Sequence, residues 1–336
     1  MGKKILVTGG GGFIGSNLAE HHLRKSDEVT VVDNLSRTKY NIEYLKQNYP
    51  QIKFIKADIS KPKTFEKLDL TELDITYHCA AQVAVTTSLE NPRQDYETNA
   101  NGTFNLCEAI RKSGSDPAVV FCSTNKVYGD LELPVKEGKT RYSYRDILGI
   151  DESYPIETNC PYGGSKIVAE YILDTYNKSF GLKTVKARMS CIYGTRQFGN
   201  EDQGWVAWFT IAAITGKPIT IYGDGKQVRD ILFITDQNRA FETLAEKIKK
   251  TNGKAYNLGG GPDNTISLYE LLDIIEEQTG KRSKMKKDDW RMGDQKVYIS
   301  DIQKIKKETD WTPKVGVREG VEKIAAWTEE NKKLFN

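Results

Sequence analysis

Tyr162 and Lys166 stand four residues apart in Pro161-Tyr162-Gly163-Gly164-Ser165-Lys166. On a helix that spacing puts both side chains on one face, a single turn apart. A tyrosine ionises near pH ~10 and is a poor base at neutrality. A fixed ammonium beside it favours the phenolate and draws that pKa toward the working range. The pair could take a proton from a sugar or alcohol hydroxyl while hydride leaves the same carbon. By itself the spacing also fits a solvent-facing amphipathic helix, so the surrounding elements decide.

Those elements begin at the N-terminus. Lys4 to Thr8 reads as a short buried strand, followed by Gly9-Gly10-Gly11-Gly12-Phe13-Ile14-Gly15 and an amphipathic helix to about Lys25. A second strand from Glu28 to Val32 ends in Asp33. Strand, glycine turn, helix, strand and an acidic residue about twenty positions on is the dinucleotide-binding arrangement. Glycines permit the tight turn and close approach to a pyrophosphate, and the helix N-terminus offers it unpaired N–H groups. Gly9, Gly12, Phe13, Ile14 and Gly15 are the expected phosphate-side residues. Asp33 is expected to bond the ribose hydroxyls and repel a 2′-phosphate, favouring NAD, with Arg37 near enough to leave NADP as the lesser alternative.

The β–α alternation continues through strands at Ile52–Ile55, Ile75–Cys79, Ala118–Cys122 and Thr184–Arg188, with helices at Asn99–Lys112 and Pro161–Phe180. It predicts an α/β fold: a doubly wound parallel-sheet Rossmann domain over residues 1–188, to which the chain returns around 217–257. Residues 189–336 form mainly a smaller α/β substrate domain, with helices at Leu268–Thr279 and Val317–Lys332. Asp58 and Ile59 follow the third strand as adenine-edge contacts. Ala80, Ala81 and Gln82 follow the fourth, where small residues let the backbone pass close to a cofactor. The fifth strand runs into Ser123-Thr124, where open α/β sheets place ligands, and a Thr124 hydroxyl could hold a reacting oxygen.

Composition narrows the class. The chain has 336 residues, with 49 Lys+Arg against 46 Asp+Glu, a formal charge of +3. That balance gives no reason to expect nucleic acid or an anionic membrane as partner. The basic run from Lys281 to Lys287 reads as a solvated loop. The five cysteines form no Cys-x-x-Cys pair, and the three histidines are not spaced as ligands, so no metal site is expected. No signal peptide or stretch of transmembrane length is evident, which predicts a cytoplasmic protein.

Thr8-Gly9-Gly10-x-Gly12-Phe13-Ile14-Gly15, Ser123-Thr124-x-x-Val127-Tyr128-Gly129 and Tyr162-x-x-x-Lys166 together resemble the extended short-chain dehydrogenases acting on nucleotide sugars. The resemblance spans most of the chain. It implies NAD as cofactor, Asn34 and Asn99 among its contacts, Thr124, Tyr162 and Lys166 as catalytic residues, and a homo-oligomer (dimer or tetramer). It also brings in Val228-Arg229-Asp230 and Trp290-Arg291-x-Gly293-Asp294, where Arg229 and Arg291 would hold the diphosphate.

Departures narrow the choice within the family. Sugar 4,6-dehydratases carry Asp-Glu after the catalytic Thr, whereas this chain has Asn125-Lys126. Many 4-epimerases carry Asn where this chain has Cys191. Ala80–Thr87, Tyr193-Gly194-x-Arg196-Gln197-Phe198, Asp202-Gln203-Gly204-Trp205 and Gly225–Asp230 resemble the branch that epimerises CDP-tyvelose and CDP-paratose at C2. That implies a CDP-sugar substrate, with Thr124, Asn125, Cys191, Arg196, Gln203, Arg229 and Arg291 around it, and a transient 2-keto sugar. CDP-glucose would use the same chemistry. A UDP-sugar 4-epimerase and a non-catalytic NAD-binding regulatory protein stand as alternatives. The segment 131–153, rich in charge and aromatics, is expected to be a lid.

Overall fold

The computed structural model describes residues 2–291 and 293–335, which divide into two compact units. The first comprises residues up to 127 together with 158–188 and 238–256, and the second comprises 128–157, 189–237 and 257–336.

The first unit is built on a seven-stranded sheet. Its labelled strands are β1 (Lys4–Thr8), β2 (Glu28–Asp33), β3 (Lys53–Lys56), β4 (Ile75–His78), β5 (Ala118–Thr124), β6 (Thr184–Met189) and β7 (Ala255–Leu258). The order is β7-β6-β5-β4-β1-β2-β3, with β1 parallel to both β2 and β4. The sequence therefore runs outward in one direction from β1, then returns to its other side, making a topological switch point between β1 and β4. Parallel sheets of this kind bind ligands in the crevice at the strands' carboxyl ends there. β4 and β5 are buried along their whole length, as strands covered on both faces must be. Leu6, Val32, Leu106, Val119, Phe121, Ala169 and Leu173 are among the side chains of the main core beside them.

Three helices matter to the site. α1 (Phe13–Leu23) follows the glycine loop directly. α2 (Gly102–Ser113) is entered through a π-helical turn at Tyr96–Asn101, where the sequence suggested regular helix from Asn99. Such turns recur at functional sites because they re-aim side chains within a helix. α3 (Pro161–Phe180) starts at Cys160, whose Sγ accepts the Gly163 N–H at 3.4 Å, has Pro161 at its first position, and stops at Gly181 with φ 74°.

In the second unit, strand Val228–Phe233 pairs in parallel with Cys191–Tyr193 and Val297–Tyr298 and antiparallel with Thr265–Ser267. The basic run read as a loop contains a strand instead: Met285–Asp288 pairs in parallel with Ile219–Tyr222 and keeps its side chains in solvent. The segment expected to be a lid contains a hairpin, Val135–Glu137 with Tyr142–Tyr144. It is tied down within the unit: Arg141 Nε donates to Glu270 at 2.8 Å, Tyr142 Oη to Asp224 at 2.6 Å, and Tyr144 Oη to the Val297 carbonyl at 2.9 Å.

Candidate active site

The glycine loop is shaped by what a side chain would hit. A Cβ on Gly15 would lie 2.4 Å from the Gly9 carbonyl oxygen and 2.7 Å from Gly10 Cα. Gly9 has φ 71°, and a Cβ there would meet Ala80 N at 2.5 Å. These contacts are with backbone, which has no room to yield, so the loop can close only with glycine. Gly12 caps α1 with extended backbone and no side chain, leaving the helix N-terminus open to a phosphate group. Phe13 and Ile14 form its first turn.

Asp33 lies at the carboxyl end of β2, where its two oxygens accept from Gly11 N–H at 2.9 Å and Leu35 N–H at 2.7 Å. Burial pushes its carboxyl pKa up, against the opposing pull of the Leu35, Gly11 and Gly12 amides. Asn34 and Arg37 are exposed in the following turn, and Asn34 Oδ1 accepts from Ser36 N–H at 2.9 Å. Ile59 is buried, and its carbonyl accepts from Asn105 Nδ2 at 3.0 Å; Asp58 Oδ1 caps the turn through Ser60 N–H at 2.9 Å. An acceptor beside a glycine cradle and an open helix end fits a dinucleotide with free ribose hydroxyls.

The loop after β4 is fixed to the catalytic helix by Asn99. Its Oδ1 accepts from Gln82 N–H at 2.9 Å, while Nδ2 donates to the Gln82 carbonyl at 3.1 Å and to Ser165 Oγ at 2.9 Å. A second polar chain, missed in the sequence reading, runs through His78, which is fully buried. Ala80 N–H reaches Thr8 Oγ1 at 3.3 Å, which pairs with His78 Nδ1 at 2.7 Å. His78 Nε2 pairs with Thr103 Oγ1 at 2.9 Å, which donates to the Asn99 carbonyl at 2.5 Å. Burial, then the Lys166 charge, push the His78 pKa down to about 3, so the ring stays neutral as a spacer between β1, β4 and the π-turn.

Thr124, Tyr162 and Lys166 come together in the first unit. The Tyr162 hydroxyl hydrogen-bonds Thr124, whose Oγ1 also accepts from Lys126 N–H at 3.2 Å and approaches Asn125 Oδ1 at 3.4 Å. Lys166 is 2 % exposed, donates Nζ to the Cys122 carbonyl at 2.8 Å and lies 4.7 Å from the Phe121 ring centroid.

The expected lowering of the tyrosine pKa is not found in the protein by itself. Burial dominates and raises it, with the Thr124 hydrogen bond the opposing influence. Burial likewise pulls Lys166 down to about 8 despite nearby acidic groups. Sequence spacing placed the pair on one face but carried no information on how deeply that face is buried.

One turn beyond Lys166, Glu170 accepts from Arg188 Nη2 at 2.7 Å and from Ser123 Oγ at 2.5 Å. Both charged side chains are about 5 % exposed or less. The ion pair joins α3 to β6 and the Ser123 bond joins the same carboxylate to the tip of β5, next to Thr124, so the two together fix where the tyrosine meets the threonine. The i, i+4 spacing from Lys166 to Glu170 was the available signal for it.

The remaining candidates lie in the second unit. Arg229, on strand Val228–Phe233, donates Nη1 to the Val228 carbonyl at 2.8 Å and pairs with Asp294. Arg291 stacks 3.8 Å from the Tyr222 ring centroid and donates to the Glu201 carbonyl at 3.0 Å. A turn from the Arg291 carbonyl to Asp294 N–H, 3.1 Å, joins the two arginines' surroundings. Cys191 Sγ accepts from Trp205 Nε1 at 3.5 Å, Gln203 bridges Asn200, and Arg196 is buried with φ 63°. Among the described residues, no cluster of His, Cys, Asp or Glu could hold a metal ion, and no helix is long and apolar enough to cross a membrane.

Comparison with known proteins gives this geometry its context. The family model described as GDP-mannose 4,6 dehydratase matches residues 6–324. CDP-paratose 2-epimerase of Salmonella typhi is 41% identical over 335 residues, covering 97% of this chain and 99% of the relative. The crystal structure of UDP-glucose 4-epimerase from Thermotoga maritima with UDP-glucose superposes with TM-score 0.84 at 30% identity, covering 98% of this chain and 99% of that one. The Thermus thermophilus UDP-glucose 4-epimerase complex with NAD gives 0.81 at 31% identity, covering 96% and 98%. The chain belongs to the GDP-mannose 4,6 dehydratase family, extended short-chain dehydrogenases that work on nucleotide sugars with NAD as cofactor.

Proposed function

We propose that the protein inverts C2 of a CDP-linked hexose, CDP-tyvelose or CDP-paratose, through a transient 2-keto sugar. What carries this reading is the near full-length likeness to a CDP-paratose 2-epimerase, joined to an assembled Thr124–Tyr162–Lys166 group. Asn125-Lys126 after the threonine supports epimerisation over dehydration, because the pair of carboxyl groups that would serve as acid and base in eliminating water is missing.

A bound NAD would supply hydride acceptance and return at C2, together with a positive ring charge that would add to the ammonium field. Tyr162 Oη, as phenolate, removes the proton from the C2 hydroxyl and later gives it back. Thr124 Oγ1 holds the same oxygen, donating as charge develops on it. The Lys166 ammonium offsets the phenolate charge through space. Asp33 and the glycine loop hold the cofactor through ribose and pyrophosphate. Arg229 and Arg291 take the substrate diphosphate, exchanging their present acceptors, Asp294 and the Glu201 carbonyl, for phosphate oxygens. Cys191, Arg196, Gln203 and Asn125 complete the sugar and nucleotide contacts.

A proton NMR time course with CDP-tyvelose, CDP-glucose, UDP-glucose and UDP-galactose tests the assignment. Conversion of a CDP-sugar to its C2 epimer, without net absorbance growth near ~340 nm from reduced cofactor, is the expected result. Conversion of the UDP-sugars alone, at C4, would sink it.

The protein is further proposed to be a homo-oligomer. Phe104 on α2 and Tyr171 and Phe180 on α3 are exposed aromatics on one pair of helices, an arrangement that favours pairing with a second copy. Sedimentation should give a mass at least twice the chain's, falling to the monomer when Phe104 and Tyr171 are both replaced by Lys. A wild-type monomer would contradict it.

A further inference from the structure

A carboxylate is buried beside the catalytic helix with no hydrogen-bond partner. Asn91 caps a short turn, Pro92–Asp95, by accepting from Gln94 N–H, and the chain then enters the π-turn at Tyr96. Asp95 is 0 % exposed, and neither of its oxygens is hydrogen-bonded. An ordinary core does not keep a lone anion. This turn and the π-turn both pack against α3, close enough that a Cβ on Gly164 would stand 3.1 Å from Tyr96 Oη.

The surrounding charges point one way. On the packed elements, Glu90, Arg93, Tyr96 and Glu97 are exposed to solvent. From α3 come Tyr162 and Lys166, and Lys166 is the charge that acts on Asp95. Asp95 in turn acts on both: it favours the charged form of Lys166 and disfavours ionisation of Tyr162. The other groups around Lys166 are the Cys122 and Cys79 thiols, Glu170 and the neutral His78 ring; those around Tyr162 are Thr124, Cys122 and Cys160. Cys79 is pushed well up by burial, so its thiol stays neutral, and Glu170 is already engaged by Arg188.

We propose that Asp95 is a positioning residue for the catalytic pair, supplying the uncommitted negative charge that holds Lys166 as an ammonium one turn from Tyr162. The proposal rests on Tyr162 and Lys166 being the reacting pair. Burial pushes the Asp95 carboxyl up to about 6 and Lys166 down to about 8, so the two carry opposite charges together only in the window between. Removing the negative charge lets Lys166 lose its proton at lower pH and Tyr162 ionise at lower pH. Both limbs of a pH–activity profile then move down.

The test uses the full chain and two readouts. Trace labelling with acetic anhydride, read by mass spectrometry at Lys166 across pH, gives that group's titration without substrate. Asp95→Asn should lower the midpoint by about half a unit or more from its wild-type place near 8. For kcat/KM with CDP-tyvelose, both limbs should shift the same way. The two proteins should converge below pH 6, where wild-type Asp95 takes up its own proton. Asp95→Glu, which keeps the charge, should restore the wild-type midpoint. If Asp95→Asn fails to fold, Asp95→Ser is read in the same way.

An unmoved Lys166 midpoint, even with reduced turnover, would overturn the proposal and leave Asp95 a structural residue. Tyr162→Phe measured alongside separates the two ideas. An active Tyr162→Phe protein would remove the catalytic reading itself, whereas an inactive one with an unmoved midpoint would remove only the role of Asp95.

Discussion

Tyr162→Phe should lower turnover by about 1,000-fold while leaving the fold and the bound cofactor in place. The ring is buried, so phenylalanine fills the same space, and what is lost is one hydroxyl and its hydrogen bond to Thr124. A single neutral hydrogen bond is worth about 1 kcal/mol, so melting should move by only a few degrees. The whole effect belongs in kcat, because the hydroxyl acts on the proton that moves as the C2–H bond breaks. Thr124→Val, keeping the shape but removing the partner oxygen, should fall in the same direction and by less. Activity, NAD content and melting temperature of the purified variant together check this. Turnover within tenfold of wild type would remove Tyr162 from the chemistry.

Gly15→Ala should cost the protein its cofactor. The added carbon would stand 2.4 Å from the Gly9 carbonyl oxygen and 2.7 Å from Gly10 Cα, and both are backbone atoms of the same tight loop. Relief requires α1 to move off the loop, which displaces the helix N-terminus and the Gly11 N–H that Asp33 holds. Strain of about 1–3 kcal/mol falls on the bound geometry, so NAD affinity should drop by about 100-fold. Gly316→Ala is the matched control: its backbone φ is −74° and an added Cβ meets nothing within 4 Å, so it should bind NAD like wild type. Titration calorimetry on the two variants reads the difference. Equal affinities would mean that the loop is not the pyrophosphate cradle.

The parts of this site legible in the sequence are those fixed by local geometry. The glycine loop announces itself because strand, turn and helix follow within about twenty residues, and Tyr162 with Lys166 because four residues make one helical turn. The buried strands β1, β4 and β5 read as short apolar runs, as parallel strands covered on both faces do.

What could not be read depends on distant partners. Met285–Asp288 is polar and exposed, and becomes a strand only because Ile219–Tyr222, more than sixty residues away, lies alongside it. Arg229 finds Asp294 across 65 residues, and Arg188 finds Glu170 across 18. The direction of the Tyr162 pKa shift, upward, follows from burial, which spacing does not encode. Nothing local in Asn91-Pro92-Arg93-Gln94-Asp95 marks a buried charge, and only the packing of α3 over the turn makes Asp95 one.

The central claim is that hydride leaves C2 of a CDP-linked hexose and returns to the same carbon. Incubating the protein with CDP-tyvelose carrying deuterium at C2, in ordinary water, and following the product by NMR tests it most directly. The account predicts the C2 epimer with deuterium retained at C2 and a slowed rate, because the label travels as hydride and never reaches solvent. Loss of deuterium to water would mean inversion by proton removal from carbon, and label left untouched while another carbon inverts would place the chemistry elsewhere on the sugar; either result contradicts the claim.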